Sequence, residues 1–456
     1  MLRAYDRPGP RYTSYPTAPQ FSASFGEHDL RMAAKASNEE PIPRRLSLYV
    51  HVPFCASPCF YCGCNRIITR DPIRGEVYLT RLYREIAMMA ELFDRDREAI
   101  QLHLGGGTPN FLSPAQLGEL IGALRSHFRF SSSPHRDFSI EFDPRCVSSE
   151  DVAELAALGF NRASLGVQDF DPEVQAAVNR IQSVEETMAV IEACRRHGLR
   201  SVNVDLIYGL PKQTATGFAR TLDTVIAAKP DRLAVYSYAH LPELFKPQQR
   251  IRAADLPTPE AKLGLLRLAV EKLTGAGYAY IGMDHFALPY DDLAIAQARG
   301  DLHRNFMGYT THADTDLVGL GVSAISHIGD GYSQNPRDLP SWQAAIDDGR
   351  LPVFRGMRLS MDDQLRADLI QRLMCQGEVP IATLEWRYGI DFGEYFAESL
   401  AKLRPLAADG LVLIEPGRIK ATPKGRLLLR NIAMCFDSYL QEKPVVDART
   451  RFSRAI

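Results

Sequence analysis

An α/β fold, in which a parallel-sheet partial (β/α) barrel precedes a smaller, mainly helical domain, is what three features of this sequence predict. Short β-rich runs alternate with amphipathic helical stretches from about residue 45 to 285. Polar groups recur at or just beyond the C-terminal ends of those runs. The texture changes at Ser360, where helical stretches follow one another and a short hairpin closes the series. Alternation of the first kind reads as βα units whose strands lie parallel and are covered by helices. In such sheets ligands bind at the C-terminal strand ends.

The elements follow in order. Residues 1–40 form an N-terminal segment ahead of the alternation. The runs 46–51, 100–104, 137–141, 162–167, 201–207, 232–238 and 278–282 are expected strands, short and bounded by turn residues. The stretches 75–93, 185–196 and 259–275 carry helical periodicity, the last opened by Thr258 as N-cap. Together these define a barrel domain over 41–358, whose 286–358 extension is less regular and includes the loop-like LHRNFMGYTTHADTD. A C-terminal domain over 359–442 begins with Ser360 as N-cap and Asp362 and Asp363 in the first turn, where they favour the helix dipole. Helices over 380–388 and 392–407 precede LVLIEPGRIKATPKG, a strand, a Pro-Gly turn and a second strand, giving a winged-helix-like outline. The charged tail 443–456 is expected to be mobile.

Composition narrows the function. With 53 basic and 55 acidic side chains the net charge is −2, which gives no electrostatic reason to expect nucleic acid or an anionic membrane. The winged-helix-like outline therefore reads as a lid or packing domain before a DNA-binding one. The start MLRAYDRPGPRYTSYPT lacks the apolar core of a signal peptide, and no run reaches the 18 or so apolar residues of a membrane span. A soluble, cytoplasmic protein is the expectation.

Cys55, Cys59, Cys62 and Cys64 stand within ten residues in HVPFCASPCFYCGCN. The first three have C-x3-C-x2-C spacing, which lets one loop aim three thiolates at a [4Fe–4S] cube. Such a cluster has four irons, so three ligands leave one open, and an open position is where metal chemistry happens. Structural zinc would want a second cysteine pair a dozen or more residues away; Cys146, Cys194, Cys375 and Cys435 are isolated. A disulfide framework belongs to small secreted scaffolds, not to 456 residues.

Other motifs sit on the strand ends. Gly105, Gly106 and Gly107 precede Thr108 and Pro109, a run that lets backbone amides approach a ligand but has neither dinucleotide nor P-loop spacing. Glu141 ends the third run, where a carboxylate suits sugar hydroxyls or an ammonium group. Gln168, Arg180 and Asp205 lie at or beyond successive strand ends. Each alone has an ordinary structural reading; four polar groups at matching positions converge on one mouth.

Together the segments RPGPRYTSYPTAPQF, YVHVPFCASPCFYCGCN, GGGTP, IEFDPR, LGVQDF, NVDLIYGLP, YAHLP, IGMDHFALP, LHRNFMGYTT and GVSAISHIGD resemble the radical SAM superfamily. Within it they are most similar to the oxygen-independent coproporphyrinogen III oxidase family. The cysteine motif alone specifies the superfamily; Cys64, RYTSYPTA and HRNFMGYTT specify the family. The resemblance implies a barrel of radical SAM type with Cys55, Cys59 and Cys62 as cluster ligands and Cys64 outside that set. Tyr49, Gly106, Glu141 and Ile325 would contact the S-adenosyl-L-methionine (SAM) molecule on the open iron, Tyr49 and Glu141 in catalytic roles. A second SAM molecule would meet Tyr61, Gly107, Thr108, Gln168, Arg180, Asp205 and Ala239. Position 61 is an aromatic one in the family, which Tyr61 satisfies.

The implied reaction is oxidative decarboxylation of two propionates of coproporphyrinogen III to vinyl groups, giving protoporphyrinogen IX. SAM supplies the radical that takes a hydrogen from the propionate β-carbon, and CO2 and one electron leave. A flavodoxin or ferredoxin would deliver electrons to a monomeric enzyme, and residues 1–40 would associate with substrate. Arg11, His303 and Arg304 are candidates for the substrate carboxylates, since arginine pairs with them bidentately. The competing readings are a heme-degrading, methyltransferase-like relative, a heme-binding chaperone and a winged-helix regulator. Cys64 and RYTSYPTA argue against the chaperone.

Overall fold

Seven long strands run parallel in one sheet, with the two-residue strand Arg129–Phe130 pairing parallel beside one of them, and their sequence alternates so that one face is apolar and the other polar. The structure is a computed structural model that describes Tyr5, residues 7–440 and residues 452–453. The tail 443–456, apart from Phe452 and Ser453, lies outside the described residues. The chain divides into two compact units, one of residues 21–276 and 314–358, the other of residues 1–20, 277–313 and 359–456.

In the first unit the parallel strands are β1 (Arg45–Val52), β2 (Glu98–Gly106), β3 (Asp137–Phe142), β4 (Arg162–Gln168), β5 (Ser201–Tyr208), β6 (Arg232–Ser237) and β7 (Thr315–Leu320). Their spatial order is β6-β5-β4-β3-β2-β1-β7, each parallel to its neighbours. The helices α1 (Glu27–Asn38), α2 (Ile73–Ala90), α3 (Pro114–His127), α4 (Ser149–Ala157), α5 (Val184–Arg196), α6 (Ala215–Ala228) and α7 (Pro259–Gly275) complete the βα units. From β1 to β6 sequential strands stay adjacent, as a run of βα crossovers of one hand requires, while β7 joins at the free edge of β1. This is a partial (β/α) barrel. Antiparallel strands β8 (Ile325–Ile328), β9 (Gly331–Gln334) and β10 (Arg355–Arg358) extend it beyond β7.

Successive side chains on a strand point to opposite faces. Leu46, Leu48, Val50 and Val52 of β1 are buried on one face together with Ile100, Leu102, Leu104, Phe138, Ile140, Val202, Val204 and Leu206. The other face carries Ser47, Tyr49 and His51, then Gln101 and His103, Asp137, Ser139 and Glu141, Ser164, and Asn203 and Asp205. Register places Tyr49 beside His103, His103 beside Ser139, Glu141 beside Ser164, and Ser164 beside Asn203. Side-chain hydrogen bonds follow these rows, at 2.8 Å for His103–Ser139 and 2.8 Å for Asn203–Ser164.

Two expectations are corrected. The run 278–282 is not a parallel strand: Ala279–Gly282 forms an antiparallel hairpin with His285–Ala287 in the second unit. The seventh parallel strand is β7, within the stretch expected to be irregular. LHRNFMGYTTHADTD holds a hairpin, His303–Asn305 with Gly308–Thr310, and leads directly into β7.

Glu85 on α2 fastens the turn after β7. It is 1% exposed; Oε2 accepts from the Gly321 amide at 2.8 Å and from Trp342 Nε1 at 3.1 Å, and Oε1 accepts from Asn335 Nδ2 at 2.6 Å. Burial outweighs these bonds and pushes its carboxyl from 4.5 up to about 7. The folded state thus keeps a proton that the unfolded chain releases, so this contribution to stability falls as pH rises from 4.5 to about 7 and is level above. Glu85→Ala strands three buried donors at about 1–3 kcal/mol each. A clear drop in the urea midpoint is expected, whereas Glu85→Gln flattens the pH dependence in that window.

In the second unit, Ser360 caps α8 (Met361–Gln376), its Oγ accepting from the Asp363 amide at 3.1 Å. α9 (Ile381–Tyr388) and α10 (Ala397–Ala408) follow. The wing has three strands, not two: β11 (Glu378–Pro380) and β12 (Val412–Glu415) both pair antiparallel with β13 (Arg418–Ala421). Among the described residues no helix is long and apolar enough to cross a membrane.

Candidate active site

The cysteine loop begins where β1 ends. Cys55 and Ile68 are strand partners, and Thr69 N donates to Cys55 O at 3.0 Å, so residues 55–68 close on themselves. Arg66 spans the inside of that loop: its guanidinium donates to the carbonyls of Cys59 at 3.2 Å, Cys62 at 3.3 Å and Cys64 at 3.5 Å. Asn179 Nδ2 holds the Pro58 carbonyl at 2.7 Å from outside.

Each of the three expected ligand sulfurs accepts a hydrogen bond. Thr108 Oγ1 donates to Cys55 Sγ at 3.3 Å, Arg180 Nη1 to Cys59 Sγ at 3.6 Å, and the Cys64 amide to Cys62 Sγ at 3.5 Å. Donors on sulfur suit thiolate ligands of a cluster. Burial raises the Cys55 thiol to about 11, while the bond from Cys64 is the main reason Cys62 falls to about 6. Among the described residues no three His, Cys, Asp or Glu side chains gather around a single metal ion. A cube does not require it, since each thiolate binds its own iron. Three hydrogen-bonded thiolates on one loop fit a cluster.

The polar face of the sheet continues from the loop. Tyr49 stacks on His103 with ring centroids 5.9 Å apart and 17° between planes. Its hydroxyl lies 3.0 Å from His51 Nδ1, and His51 Nε2 lies 2.9 Å from the Asn65 carbonyl. A carbonyl accepts, so Nε2 carries the hydrogen and Nδ1 accepts from Tyr49. His51 thereby ties the end of the cysteine loop to β1. Glu141 Oε2 accepts from the Gly106 amide at 3.2 Å, and Oε1 lies 3.2 Å from His103 Nε2. Burial opposes its charge, but the bonds from His103 and Gly106 prevail and hold the carboxyl below its usual range.

Gly106 has φ +112°, and a Cβ there would stand 2.4 Å from the His51 ring. At Gly107 a Cβ would meet the Pro53 backbone at 2.7 Å. Neither position admits a side chain. Asp205 accepts from Asn203 Nδ2 at 2.8 Å and Ser164 Oγ at 3.3 Å; burial, then the charge of Glu141, raises its carboxyl to about 7. Gln168 ends β4 at φ +70°, beside Arg180. Arg180 is buried; besides Cys59 it meets both Asp143 oxygens at 3.3 Å and donates to the Gly166 carbonyl. Ile325 opens β8, against which Gly319 of β7 packs backbone to backbone.

Tyr49, Gly106, Glu141 and Asp205 therefore share the polar face; Gln168 and Arg180 sit together; Tyr61, Gly107 and Thr108 line or follow the cysteine loop. His51, His103 and Arg66 belong to this arrangement too, although their types and spacing single none of them out. The candidate substrate residues lie in the second unit. Arg11 pairs with Asp284. His303 is half-buried at the start of its hairpin, and Arg304 is 5% exposed with its guanidinium 4.7 Å over the Tyr309 ring.

The profile of the radical SAM superfamily matches residues 49–225, and that of the HemN C-terminal domain matches residues 359–428. The chain is 53% identical over 456 residues to an oxygen-independent coproporphyrinogen III oxidase of Pseudomonas aeruginosa, covering 100% of this chain and 98% of that one. To the protein of that description from Escherichia coli K12 it is 48% identical over 456 residues, with 100% and 98% covered. The solved structure of coproporphyrinogen III oxidase (HemN) from Escherichia coli, a radical SAM enzyme, matches with a TM-score of 0.91 at 49% identity, covering 94% of this chain and 97% of that one.

Proposed function

We propose that this chain, which belongs to the radical SAM superfamily and within it to the oxygen-independent coproporphyrinogen III oxidases, decarboxylates two propionates of coproporphyrinogen III oxidatively to vinyl groups. The product is protoporphyrinogen IX, in heme biosynthesis without oxygen. The observation that carries this reading is the three-cysteine loop, each sulfur hydrogen-bonded, set at the end of β1 next to the polar face that holds Tyr49 and Glu141.

When bound, the cluster and SAM supply a one-electron reduction and a radical that takes hydrogen from an unactivated carbon. The chain's own residues do the rest. Cys55, Cys59 and Cys62 hold the cluster, and Thr108 and Arg180 lend hydrogen bonds to two of the sulfurs. Glu141, kept ionised by its partners, receives the SAM ammonium. Tyr49, its hydroxyl fixed on His51, walls the pocket and excludes water, and Gly106 leaves room for the methionine end. Ile325 gives the SAM an apolar contact. A second SAM rests on Tyr61, Gly107, Thr108, Gln168, Arg180, Asp205 and Ala239. A flavodoxin or ferredoxin delivers the electrons in the cytoplasm, to a monomer.

Arg304 is our assignment for a propionate. Its Nε and Nη1 are buried with no partner among the described residues. A buried charge left so costs free energy that a carboxylate recovers. Arg304→Ala should raise KM for coproporphyrinogen III about ten- to a hundredfold, from the 1.5–3 kcal/mol of a charged hydrogen bond, without lowering the unfolding midpoint. An unchanged KM removes the assignment. Arg11, engaged with Asp284, and His303 are the weaker partners, and their alanine variants should move KM less.

The reading is tested by anaerobic assay of reconstituted protein with dithionite, SAM and coproporphyrinogen III, products followed by mass spectrometry. Two successive losses of CO2 with formation of 5′-deoxyadenosine and methionine establish it. SAM cleavage without decarboxylation discards the substrate.

A further inference from the structure

Gln248 ties together two residues from distant parts of the chain. Its Nε2 donates to the Tyr61 carbonyl at 2.9 Å and to the Ala239 carbonyl at 3.2 Å, and its Oε1 accepts from the Leu241 amide at 2.6 Å. The residue is 2% exposed. A carboxamide has two hydrogens to give, and both are in use here, while its oxygen accepts one hydrogen bond. Tyr61 lies inside the cysteine loop, between Cys59 and Cys62; Ala239 follows β6.

The surrounding segment supports the same join. The Phe245 ring lies against Gly63, where a Cβ would stand 3.1 Å from it. The Arg250 guanidinium sits 5.1 Å over the Phe60 ring. Phe60, Tyr61, Tyr236 and Leu256 pack around one apolar cluster with Tyr238 and Ile251. The segment following β6 is thus fastened to the cysteine loop at Phe60, Tyr61 and Gly63.

We propose that Gln248 is a positioning residue for the second SAM molecule: by holding the Tyr61 and Ala239 backbones at a fixed separation it shapes the pocket they share. This rests on the two-SAM reading above. Gln248 has no N–H left for the ligand, since both amide hydrogens are spent inside the protein. A fully satisfied buried amide specifies one geometry, and its loss leaves two carbonyls and an amide unpaired in a buried place.

The test uses the full chain, reconstituted with its cluster, left unreduced for dialysis and reduced only in the separate EPR sample. Gln248→Met keeps the length and removes the donors; Gln248→Asn keeps the donors and is one methylene too short to span both carbonyls. SAM bound per chain is measured by equilibrium dialysis, iron per chain by analysis, and the first SAM by its perturbation of the reduced cluster's EPR spectrum. The expected result is two SAM molecules on the parent protein. Both variants should keep their iron and the EPR perturbation, with the second SAM weakened at least about tenfold, as loss of roughly one hydrogen-bond network contact implies. Two SAM molecules bound at parental affinity in the variants overturn the proposal. So does loss of iron from both variants, which would make Gln248 a brace for the whole loop. A parent protein that binds one SAM fails before any substitution is made, and that result overturns the two-SAM reading itself.

Discussion

Cys62→Ser should leave the protein without its cluster and without activity, whereas Cys64→Ser should keep both. The two cysteines are two residues apart and in contact, yet their surroundings differ. Cys62 Sγ accepts the Cys64 amide at 3.5 Å, and a side-chain hydrogen bond from Cys64 is the principal cause that lowers the Cys62 thiol. The same contact raises the Cys64 thiol well above its ordinary value. One member of the pair is poised to bind iron, and the other donates to it. Serine at 64 still offers a hydroxyl to the Cys62 sulfur, so iron content should match the parent protein. Alanine at 64 keeps the backbone amide on the Cys62 sulfur and removes only the side-chain donor, and a supporting hydrogen bond to a metal ligand is worth about ten- to a hundredfold in affinity or activity. Iron analysis and the visible absorption of the anaerobic protein decide it. An iron-free Cys64→Ser variant would move Cys64 into the ligand set.

The parallel sheet is legible because period-2 runs separated by helical periods leave few other arrangements. β7 is not, for a physical reason. Its TDLVGL contains Gly319, ordinarily a weak strand residue. Here a side chain is what cannot be tolerated, since a Cβ would come within 2.5 Å of the Ile325 carbonyl oxygen. The hairpin His303–Asn305 with Gly308–Thr310 is hidden likewise, its strands being three residues each. The third strand of the wing, Glu378–Pro380, ends on a proline that on pattern alone opens a helix.

The site divides along the same line. The cysteine loop, the glycine run and the strand-end Glu141, Gln168 and Asp205 are visible as residue types in position. His51 and His103 become meaningful once register is known. His51 stands two residues after Tyr49 and so on its face, and His103 is the strand partner of Tyr49. Arg66 and Gln248 act on backbone carbonyls in loops, and no spacing rule reports that. Thr108 and Arg180 of the motifs touch cysteine sulfurs; the residues hidden from sequence hold the motif residues in place.

Glu141→Gln should weaken SAM binding about ten- to a hundredfold and leave the cluster intact. Glu141 Oε2 accepts from the Gly106 amide, which fixes one end of the carboxylate; a glutamine can present its carbonyl oxygen there at the same 3.2 Å. Its amide nitrogen then faces His103 Nε2, now 3.2 Å from Oε1. His103 can answer by changing tautomer, for its Nδ1 lies 2.8 Å from the Ser139 hydroxyl, which both gives and accepts. The substitution therefore preserves geometry and removes charge alone. A charge-assisted hydrogen bond contributes about 1.5–3 kcal/mol, against about 1 for a neutral one, and the affinity loss follows from that difference together with the lost charge–charge attraction. Because the parent carboxyl is held below its ordinary 4.5, SAM affinity of the parent protein should stay flat from about pH 6.5, where an α-ammonium is fully protonated, down to about 4.5, and decline only below that. Dialysis of SAM against parent and variant at pH 7.5, with iron content matched, measures the effect. Equal affinities would take the SAM ammonium away from Glu141 and leave its carboxylate as a clasp for the Gly106 strand end.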